Sequence, residues 1–252
     1  MITLTAAVMA RDEERMLPDC LRSIAFADER LVLVSAQTTD RTREVARLHG
    51  ARVEERVFDN FAAQRDAALR LATGDWVLFV DADERIPARL RDEVLRTIAA
   101  PAGRRAFWIA RHNYLMGRVV RHAGWFPDYQ LRLLERRAAH FDPRRPVHEL
   151  ALVEGRIGHL EEPLLHFNYA SLADFVRRQE RYCSLDAERW LAEFGRPRLR
   201  AVLGQPIREF WRRYVSLAGY REGPLGLVLS ALLAYYAGKA VFLARRGGHG
   251  LT

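Results

Sequence analysis

Apolar residues in the first hundred positions follow two alternating patterns. Continuous apolar runs, as in Ile2–Ala10, Leu31–Val34 and Trp76–Val80, are typical of strands that are buried on both faces of a parallel sheet. Stretches with apolar residues three or four positions apart, as in Phe61–Ala72 and Pro87–Ala100, predict amphipathic helices between these strands. The alternation predicts an α/β fold with a Rossmann-like, doubly wound, mostly parallel sheet that is flanked by helices.

The pattern changes after Pro101. Short apolar and aromatic segments, among them Ala106–Ala110 and Tyr129–Leu134, predict antiparallel strands with arginine-rich loops between them. Ser171–Phe194 then predicts a long helix that begins at a serine N-cap. We therefore predict one large domain over residues 1–204, followed by a C-terminal helical tail over residues 205–252.

The tail combines apolar helices with arginines. After a predicted break at Gly195–Pro206, helices are predicted at Ile207–Tyr220 and Leu225–Ala244. The second is about as long as a spanning helix, but Lys239 and several small residues make it a poor one. Four arginines precede it: Arg208, Arg212, Arg213 and Arg221. We expect the tail to lie on an anionic membrane surface, with packing on the body and a membrane span as the alternatives.

Acidic residues follow the buried run Trp76–Val80. In open α/β sheets, ligands bind beyond the carboxyl ends of the strands, which is where Asp81, Asp83 and Glu84 are expected. In extended backbone Asp81 and Asp83 would point to the same side. Two such carboxylates suit Mg2+ or Mn2+ that bridges to phosphate oxygens. The alternative is a solvated acidic turn that caps the helix beginning near Pro87.

The composition narrows the choice of partners and compartment. A formal net charge of +8 favours acidic partners, namely nucleotides, nucleic acid or an anionic membrane. No nucleic-acid-binding motif is recognisable, so we predict no nucleic-acid partner. Cys20 and Cys183 are the only cysteines, which favours a reducing compartment over a disulfide scaffold. The first residues lack the basic start and cleavage site of a signal peptide, and we expect none.

Several ordered motifs resemble family 2 glycosyltransferases of the GT-A fold. The motifs of the first half are Val8–Glu14, Thr38–Thr42, Phe61–Leu69 and Val80–Glu84. Further along, Gly124–Leu133 and Val147–Glu149 are similar to the subgroup that includes lipopolysaccharide-core glucosyltransferases. The likeness covers most of residues 2–170, and the tail also resembles that subgroup.

The resemblance implies an activity and its participants. The enzyme would transfer a sugar, with inversion, from a nucleotide-diphosphate sugar to a lipid-linked or polysaccharide acceptor in cell-envelope glycan synthesis. Residues 1–100 would be the nucleotide-binding half and residues 101–204 the acceptor half. The protein would be cytoplasmic, peripherally associated with the inner face of the cytoplasmic membrane. The implied nucleotide-sugar-binding residues are Ala10, Arg11, Glu13, Ser35, Asp40, Gln64, Arg65, Asp81 and Ala82.

The resemblance also implies a metal site and a catalytic base. Asp81 would lie near the ribose and the metal's waters, Asp83 would be a direct ligand of Mg2+ or Mn2+, and His148 is a further candidate ligand. Inverting transfer needs a carboxylate that takes the proton of the acceptor hydroxyl. Asp128 is the first candidate base, with an ordinary turn aspartate as the alternative, and Glu149 is the second. Candidate acceptor contacts are Trp125, Tyr129 and Arg132.

Ser35 departs from the family pattern. The family usually has an aspartate at the end of the second strand, where it accepts a hydrogen bond from the nucleotide base. Serine is shorter and neutral, so the usual recognition of uracil is not predicted here. Asp66 likewise stands where asparagine is common. These departures motivate an alternative function, a non-catalytic nucleotide-sugar-binding protein of the same fold.

Overall fold

The computed structural model describes residues 1–142 and 150–247, and they form two compact units. The first unit consists of Met1–Arg111 and Tyr129–His166, and the second of His112–Asp128 and the chain from Phe167 onward. Strands β6 and β12 begin in the first unit and end in the second. In chain order the elements are β1 (Leu4–Ala10), α1 (Leu17–Ser23), β2 (Glu29–Ser35), α2 (Thr42–Leu48), β3 (Arg52–Arg56), α3 (Phe61–Leu71), β4 (Trp76–Asp81), β5 (Glu84–Arg85), α4 (Ala88–Ala99), β6 (Arg104–Leu115), β7 (Arg118–Val120), β8 (Tyr129–Glu135), β9 (Ala139–His140), β10 (Leu152–Val153), β11 (Arg156–His159), β12 (Leu164–Tyr169), α5 (Leu172–Phe194), α6 (Leu199–Phe210) and α7 (Pro224–Arg246).

The sheet of the first unit is built around β1. Strand β1 pairs in parallel with β2 on one side and with β4 on the other, and β2 pairs in parallel with β3. Strand β8 is antiparallel to both β4 and β6, which gives the order β3-β2-β1-β4-β8-β6. The predicted α/β fold with a mostly parallel sheet is confirmed. The carboxyl ends of β1, β2 and β4 meet at one edge, because parallel neighbours end on the same side.

Both faces of this sheet are covered by helices. Along β4, Leu78 and Val80 belong to a core that includes Leu17 of α1 and Leu90 of α4. The alternate residues, among them Phe79, belong to the core on the other face together with α3. Because successive side chains of a strand point to opposite faces, a strand covered on both sides must be apolar throughout. This explains the unbroken apolar run before Asp81.

Three helices dominate the second unit. Helix α7 packs against both α5 and α6, and Lys239 of α7 forms an ion pair with Glu180 of α5. By length and composition, α7 is the one helix in the described part of the chain that could cross a membrane. Part of its surface is used in packing, since Leu229 and Val241 are buried. The structure thus gives α7 packing partners within its own unit, and membrane association stays a prediction.

The predicted break at Gly195–Pro206 was wrong over most of its length. Helix α6 runs from Leu199 to Phe210 with Pro206 inside it, and a π-helical turn over 211–216 follows. Proline is unfavourable inside a helix because it removes one donor and crowds the preceding turn. Here Pro206 lies against Gly238 of α7, where an added Cβ would be 3.1 Å from the proline ring. This tertiary contact outweighs the local preference.

A side chain at Gly226 would clash with the neighbouring backbone in the second unit. A Cβ at this position would lie 1.9 Å from the carbonyl oxygen of Gly219, and neither backbone segment has a flexible side chain that could move aside. We expect Gly226→Ala to lower the free energy of unfolding by about 1–3 kcal/mol. Gly204→Ala is the matched control, because its Cβ would meet only the end of the Arg208 side chain and alanine favours helices. Urea unfolding of both variants measures the difference, and equal midpoints would contradict the packing argument.

Candidate functional site

A buried arginine organises the acidic turn after β4. Arg132 of β8 donates from Nη1 to Asp81 Oδ1 at 3.2 Å and from Nη2 to Glu84 Oε1 at 2.7 Å, and Nη2 also contacts Asp81 Oδ2. Glu84 Oε2 in turn accepts the backbone N–H of Asp81 at 2.9 Å. The side chains of Arg132 and Glu84 are 1% and 0% exposed. Such a buried set is tolerated only because the opposite charges and hydrogen bonds compensate one another.

The charges of this cluster shift its proton equilibria in opposite directions. Burial opposes ionisation of Asp81, but Arg132 and Arg65 outweigh it and hold the pKa of the Asp81 carboxyl below its usual value. Burial raises the pKa of Glu84, and Arg132 opposes this rise only in part. For Arg132, burial disfavours the charged form, yet the two carboxylates raise the pKa of its guanidinium. Asp81 is therefore ionised at neutral pH and is fixed in orientation by Arg132.

Further arginines approach the same carboxylates. Arg65 Nη2 of α3 lies 3.8 Å from Asp81 Oδ1, and Arg111 Nη1 of β6 lies 3.5 Å from Glu84 Oε1. The side chains of Arg65 and Arg111 are mostly buried, at 12% and 18% exposed. The end of β4 is thus a carboxylate pair surrounded by guanidinium groups, which are well suited to hold phosphate oxygens.

Asp83 has different surroundings from Asp81. Strand β4 ends at Asp81 and a turn follows over Ala82 and Asp83, so the expected alternation of extended backbone does not apply. Asp83 Oδ2 lies 3.4 Å from His166 Nε2 of β12. The acids do not cap the next helix either, because α4 has Pro87 at its N-cap and no side-chain cap bond. The acidic turn is therefore part of a cluster of charged residues rather than a helix cap.

Sequence reasoning missed His166. It is 7% exposed, on β12, and β12 pairs with β5 so that His166 is opposite Glu84. The available signal was a histidine at an inward-facing position of an apolar strand, two residues after the buried Leu164. Its proximity to Asp83 could not be read locally, because it depends on the pairing of two strands far apart in the chain.

The donor set around Asp83 fits a divalent cation that is also bound by phosphate. Asp81 and Asp83 supply carboxylate oxygens, and His166 adds an imidazole nitrogen beside Asp83. Mg2+ is usually held by one or two carboxylates with water and substrate phosphates rather than by a complete protein cage. No group of three or more His, Cys, Asp or Glu that could hold a metal occurs within residues 1–142 and 150–247, so Asp81, Asp83 and His166 do not form a complete protein cage.

Loops at the ends of β1 and β2 are tied together by hydrogen bonds. The backbone N–H of Glu13 donates to Thr42 Oγ1 at 2.8 Å, and that of Glu14 donates to Asp40 Oδ2 at 2.9 Å. Burial opposes the charge on Asp40, but hydrogen bonds from Thr42 and Glu14 lower the pKa of its carboxyl. Ala10 is buried before this loop and Arg11 is exposed within it. The two loops therefore form one rigid rim at the edge where the strands end.

Ser35 and Gln64 make contacts within the protein. Ser35 Oγ donates to Gln37 Oε1 at 2.5 Å, and Gln64 Nε2 donates to the carbonyl oxygen of Val57 at 2.7 Å. Asp66 accepts the backbone N–H of Phe141 at 3.1 Å and pairs with Arg70. Gln64 and Asp66 thus stabilise the surroundings of α3, and the role of Gln64 in nucleotide-sugar binding stays a prediction.

In the second unit, Asn113 fixes the loop that carries Asp128. Asn113 is fully buried at the end of β6, and its Nδ2 donates to the carbonyl oxygen of Trp125 at 2.8 Å and to Asp128 Oδ2 at 3.2 Å. Asp128 is half-buried. One amide therefore holds both ends of the Trp125–Asp128 segment. Asn113 is the second functional candidate that the sequence did not single out.

The other side of this loop is held by the C-terminal segment. Glu222 is 9% exposed, and its Oε1 accepts the backbone N–H groups of Arg121 and His122 at 2.9 Å each. Arg213 Nη1 donates to the carbonyl oxygen of Ala123 at 2.9 Å. Burial opposes the charge on Glu222, while the hydrogen bonds from residues 121 and 122 lower the pKa of its carboxyl. We call residues 121–128 the Asp128 loop.

Comparison with known proteins connects this geometry to a family. Residues 5–146, more than half of the chain, match the profile of Glycosyl transferase family 2. The chain belongs to this family. The glycosyltransferase is 27% identical to the lipopolysaccharide core biosynthesis glycosyltransferase LpsC of Rhizobium meliloti (strain 1021), and the match covers 94% of this chain and 89% of LpsC.

Solved structures agree on the fold of this glycosyltransferase. The mannosyltransferase PcManGT from Pyrobaculum calidifontis, in complex with GDP-Man and Mn2+, superposes with a TM-score of 0.57 at 15% identity, over 96% of this chain and 86% of that one. TarS 1–349 of S. aureus superposes with a TM-score of 0.51 at 17% identity, over 97% of this chain and 89% of that one. At these identities the likeness concerns the fold, and it confirms the expected GT-A-type architecture.

The remaining predicted site residues of the glycosyltransferase are distributed as follows. Trp125 is half-buried, with its ring edge-on to that of Tyr169, and Tyr129 is exposed beside His159. Arg132, predicted to contact an acceptor, instead has its side chain enclosed with Asp81 and Glu84. His148 and Glu149 lie outside the described residues.

Proposed function

We propose that this glycosyltransferase moves a sugar, with inversion, from a nucleotide-diphosphate sugar to a lipid-linked or polysaccharide acceptor in cell-envelope glycan synthesis. The observation that carries the proposal is the charged cluster after β4, in which Arg132 orients Asp81 and His166 lies beside Asp83. The similarity to LpsC supports an envelope glycan as the acceptor. The GDP-Man and Mn2+ in the PcManGT complex support a nucleotide-sugar donor and a metal ion.

The first unit supplies the donor site in this proposal. Asp83, with Asp81 and His166 near it, would hold Mg2+ or Mn2+ together with phosphate oxygens of the donor. When bound, the ion stabilises the negative charge that develops on the leaving diphosphate. Arg132 keeps Asp81 ionised and fixed, and Arg65 offers its guanidinium to phosphate oxygens. Arg11, Glu13, Asp40 and Ser35 belong to the rim that would surround the nucleoside.

Asp128 of the second unit acts as the base. As the acceptor oxygen attacks the anomeric carbon, its proton passes to a carboxylate oxygen of Asp128, and the bond to the diphosphate breaks. The hydrogen bond from Asn113 fixes the orientation of that carboxylate. The aromatic rings of Trp125 and Tyr129 are suited to stack against a sugar ring. Glu149 is the alternative base.

The Asp128→Asn variant tests this assignment. It is expected to bind the donor as the native enzyme does and to lose transfer by about 10²–10⁴-fold, because an amide keeps the shape but cannot take the proton. Donor binding is measured by thermal shift and transfer by release of the nucleotide diphosphate. Glu149→Gln is the comparison variant. If it is inactive while Asp128→Asn is near native, the base is Glu149.

The second candidate function is a nucleotide-sugar-binding protein without catalysis. Ser35 favours it, because the neutral hydroxyl at the end of β2 donates to Gln37 where the family usually has a base-reading aspartate. Thermal-shift screening of nucleotide-diphosphate sugars, with and without Mn2+, identifies the donor under either function. Turnover of that donor separates the two, since a binding protein stabilised by the donor would release no nucleotide diphosphate.

We also propose a domain organisation and a cellular location for the enzyme. Residues 1–204 would be the glycosyltransferase domain, with a nucleotide-binding half over 1–100 and an acceptor half over 101–204. Residues 205–252 were predicted to be a membrane-associating tail; because α6 runs from Leu199 to Phe210, the tail would begin with α6 at Leu199. The enzyme would then work in the cytoplasm at the inner face of the cytoplasmic membrane, where a lipid-linked acceptor is within reach.

A further inference from the structure

We propose that the exposed side of α6 is the surface through which the protein binds an anionic lipid bilayer. This surface, here the α6 face, consists of Leu199, Leu203, Ile207 and Trp211, the last being the first residue after the helix. The inference rests on the proposed function, since binding to a bilayer would bring the enzyme to a membrane-bound acceptor. Within the tail that the sequence analysis places on the membrane, it assigns the contact to α6 rather than to α7, and it extends the contact to Leu199 and Leu203.

The α6 face is apolar and open to solvent. Its four side chains are 59%, 65%, 71% and 63% exposed in chain order. They are four positions apart, so they form a continuous stripe along one side of a helix. Helix α6 has no fully buried residue, which is unusual for a helix with so many apolar side chains. Contiguous exposed apolar surface of this kind marks an interaction site.

The packing of α6 explains why this stripe stays open. The helix packs against α7 along the side that carries its partly buried residues, among them Val202, Gln205 and Glu209, and Pro206 at the edge of this side lies against Gly238. Helix α7 buries Leu229, Tyr236 and Val241 in packing, and its exposed apolar residues, Leu227, Val228, Tyr235 and Phe242, are 39–57% exposed, less than those of the α6 face. The apolar residues of α6 that are available to a partner are therefore those of the α6 face.

The charges around the α6 face select the partner. Residues 196–213 contain six arginines and a single acid, Glu209. Arg212 and Arg213 pair with Glu209, which leaves most of the positive charge of the segment uncompensated by acids within it. Arginine side chains beside an apolar stripe can extend their guanidinium groups to lipid phosphates while the stripe enters the interface. A second copy of this chain would bring the same positive charge to the same face, so repulsion disfavours self-association there.

Co-sedimentation with lipid vesicles tests the proposal on the full chain. We expect the protein to bind vesicles that contain phosphatidylglycerol and to bind pure phosphatidylcholine vesicles little. At 0.5 M salt, binding to the anionic vesicles should be weaker by about a few-fold or more, because salt screens the charges. The Ile207→Ser, Trp211→Ser double variant should bind at least about tenfold more weakly to the anionic vesicles. Leu48→Ser is the matched control, because Leu48 is an apolar side chain of α2 that is 84% exposed, and it should bind as the native protein does.

Three outcomes would overturn the inference. They are equal binding of the double variant and the native chain, equal binding to both kinds of vesicle, and concentration-dependent dimerisation that the double variant loses. Donor binding by thermal shift is measured on the same samples and should be unchanged in the double variant. Vesicle binding through the α6 face without any donor binding would contradict the proposed function and support this inference. Donor binding without vesicle binding would contradict this inference and leave the proposed function standing.

Discussion

The Asp83→Ala variant is expected to lose sugar transfer by about 10³-fold or more while keeping the stability of the native enzyme. The loss follows because Asp83 would help to hold the metal ion, which stabilises the charge on the leaving diphosphate by several kcal/mol as an order of magnitude. The fold should persist, since Asp83 is a partly exposed turn residue whose contact with His166 is of the kind that contributes only about 0–1 kcal/mol. Initial rates and urea unfolding measure the two properties.

Control variants distinguish a loss of metal binding from a loss of stability in this experiment. Asp19→Ala removes another carboxylate of the first unit, 58% exposed and paired with Arg22, and should leave transfer unchanged. His166→Ala should raise the Mn2+ concentration needed for donor-induced thermal stabilisation, because it removes the imidazole beside Asp83. Native-like turnover of Asp83→Ala with metal still required would contradict the assignment.

The Arg132→Met variant is expected to lose about 3–5 kcal/mol of folding free energy. Methionine fills a similar volume, but the buried carboxylate of Glu84 and the partly buried carboxylate of Asp81 lose the guanidinium that compensates them. Arg105→Met is the matched control, since Arg105 pairs with Glu135 at the surface and such pairs contribute at most about 1 kcal/mol. Urea unfolding measures both variants.

The pH dependence gives this prediction a second test. Without Arg132, burial raises the pKa of Glu84 in the folded state further above its unfolded value, and Asp81 loses the largest of the charges that lower its pKa. A raised folded pKa contributes stability that is present at low pH and is lost as pH rises. The deficit of Arg132→Met relative to the native protein should therefore be smaller at about pH 5 than at about pH 8. A deficit that grows toward acid would contradict the assignment of Arg132 as the main charge that compensates these carboxylates.

Local pattern was sufficient for the sheet and for the location of its acidic edge. The run Trp76–Val80 is apolar throughout because both of its faces are covered, and Asp81 comes where that cover ends. The same pattern could not give the conformation after Asp81. The chain turns there because Glu84 accepts the backbone N–H of Asp81 and pairs with Arg132. These are contacts between buried groups in the folded protein, and the alternation of side chains along the strand does not predict them.

Two of the residues that sequence reasoning missed, Glu222 and His166, act over long distances in the chain. Glu222 bonds to backbone groups about a hundred positions earlier, and His166 reaches Asp83 through strand pairing. Arg132 was assigned to an acceptor from its place in the Gly124–Leu133 motif, and nothing local distinguishes a buried arginine from an exposed one. Pro206 was interpreted as a helix break because its packing partner, Gly238, lies on another helix. Each of these features depends on the assembled fold, which no short window of sequence contains.

Under the proposed function, the attachment of the Asp128 loop would constrain how acceptor specificity can be changed. Its backbone groups at residues 121–123 are bonded to Arg213, Leu217 and Glu222, which belong to a segment of the chain far from the loop in sequence. A chimera that receives this loop from a relative would leave those donors and acceptors without their partners. We expect such exchanges to succeed only when residues 213–222 are transferred with the loop. The two segments should therefore change together when the enzyme diverges toward a new acceptor.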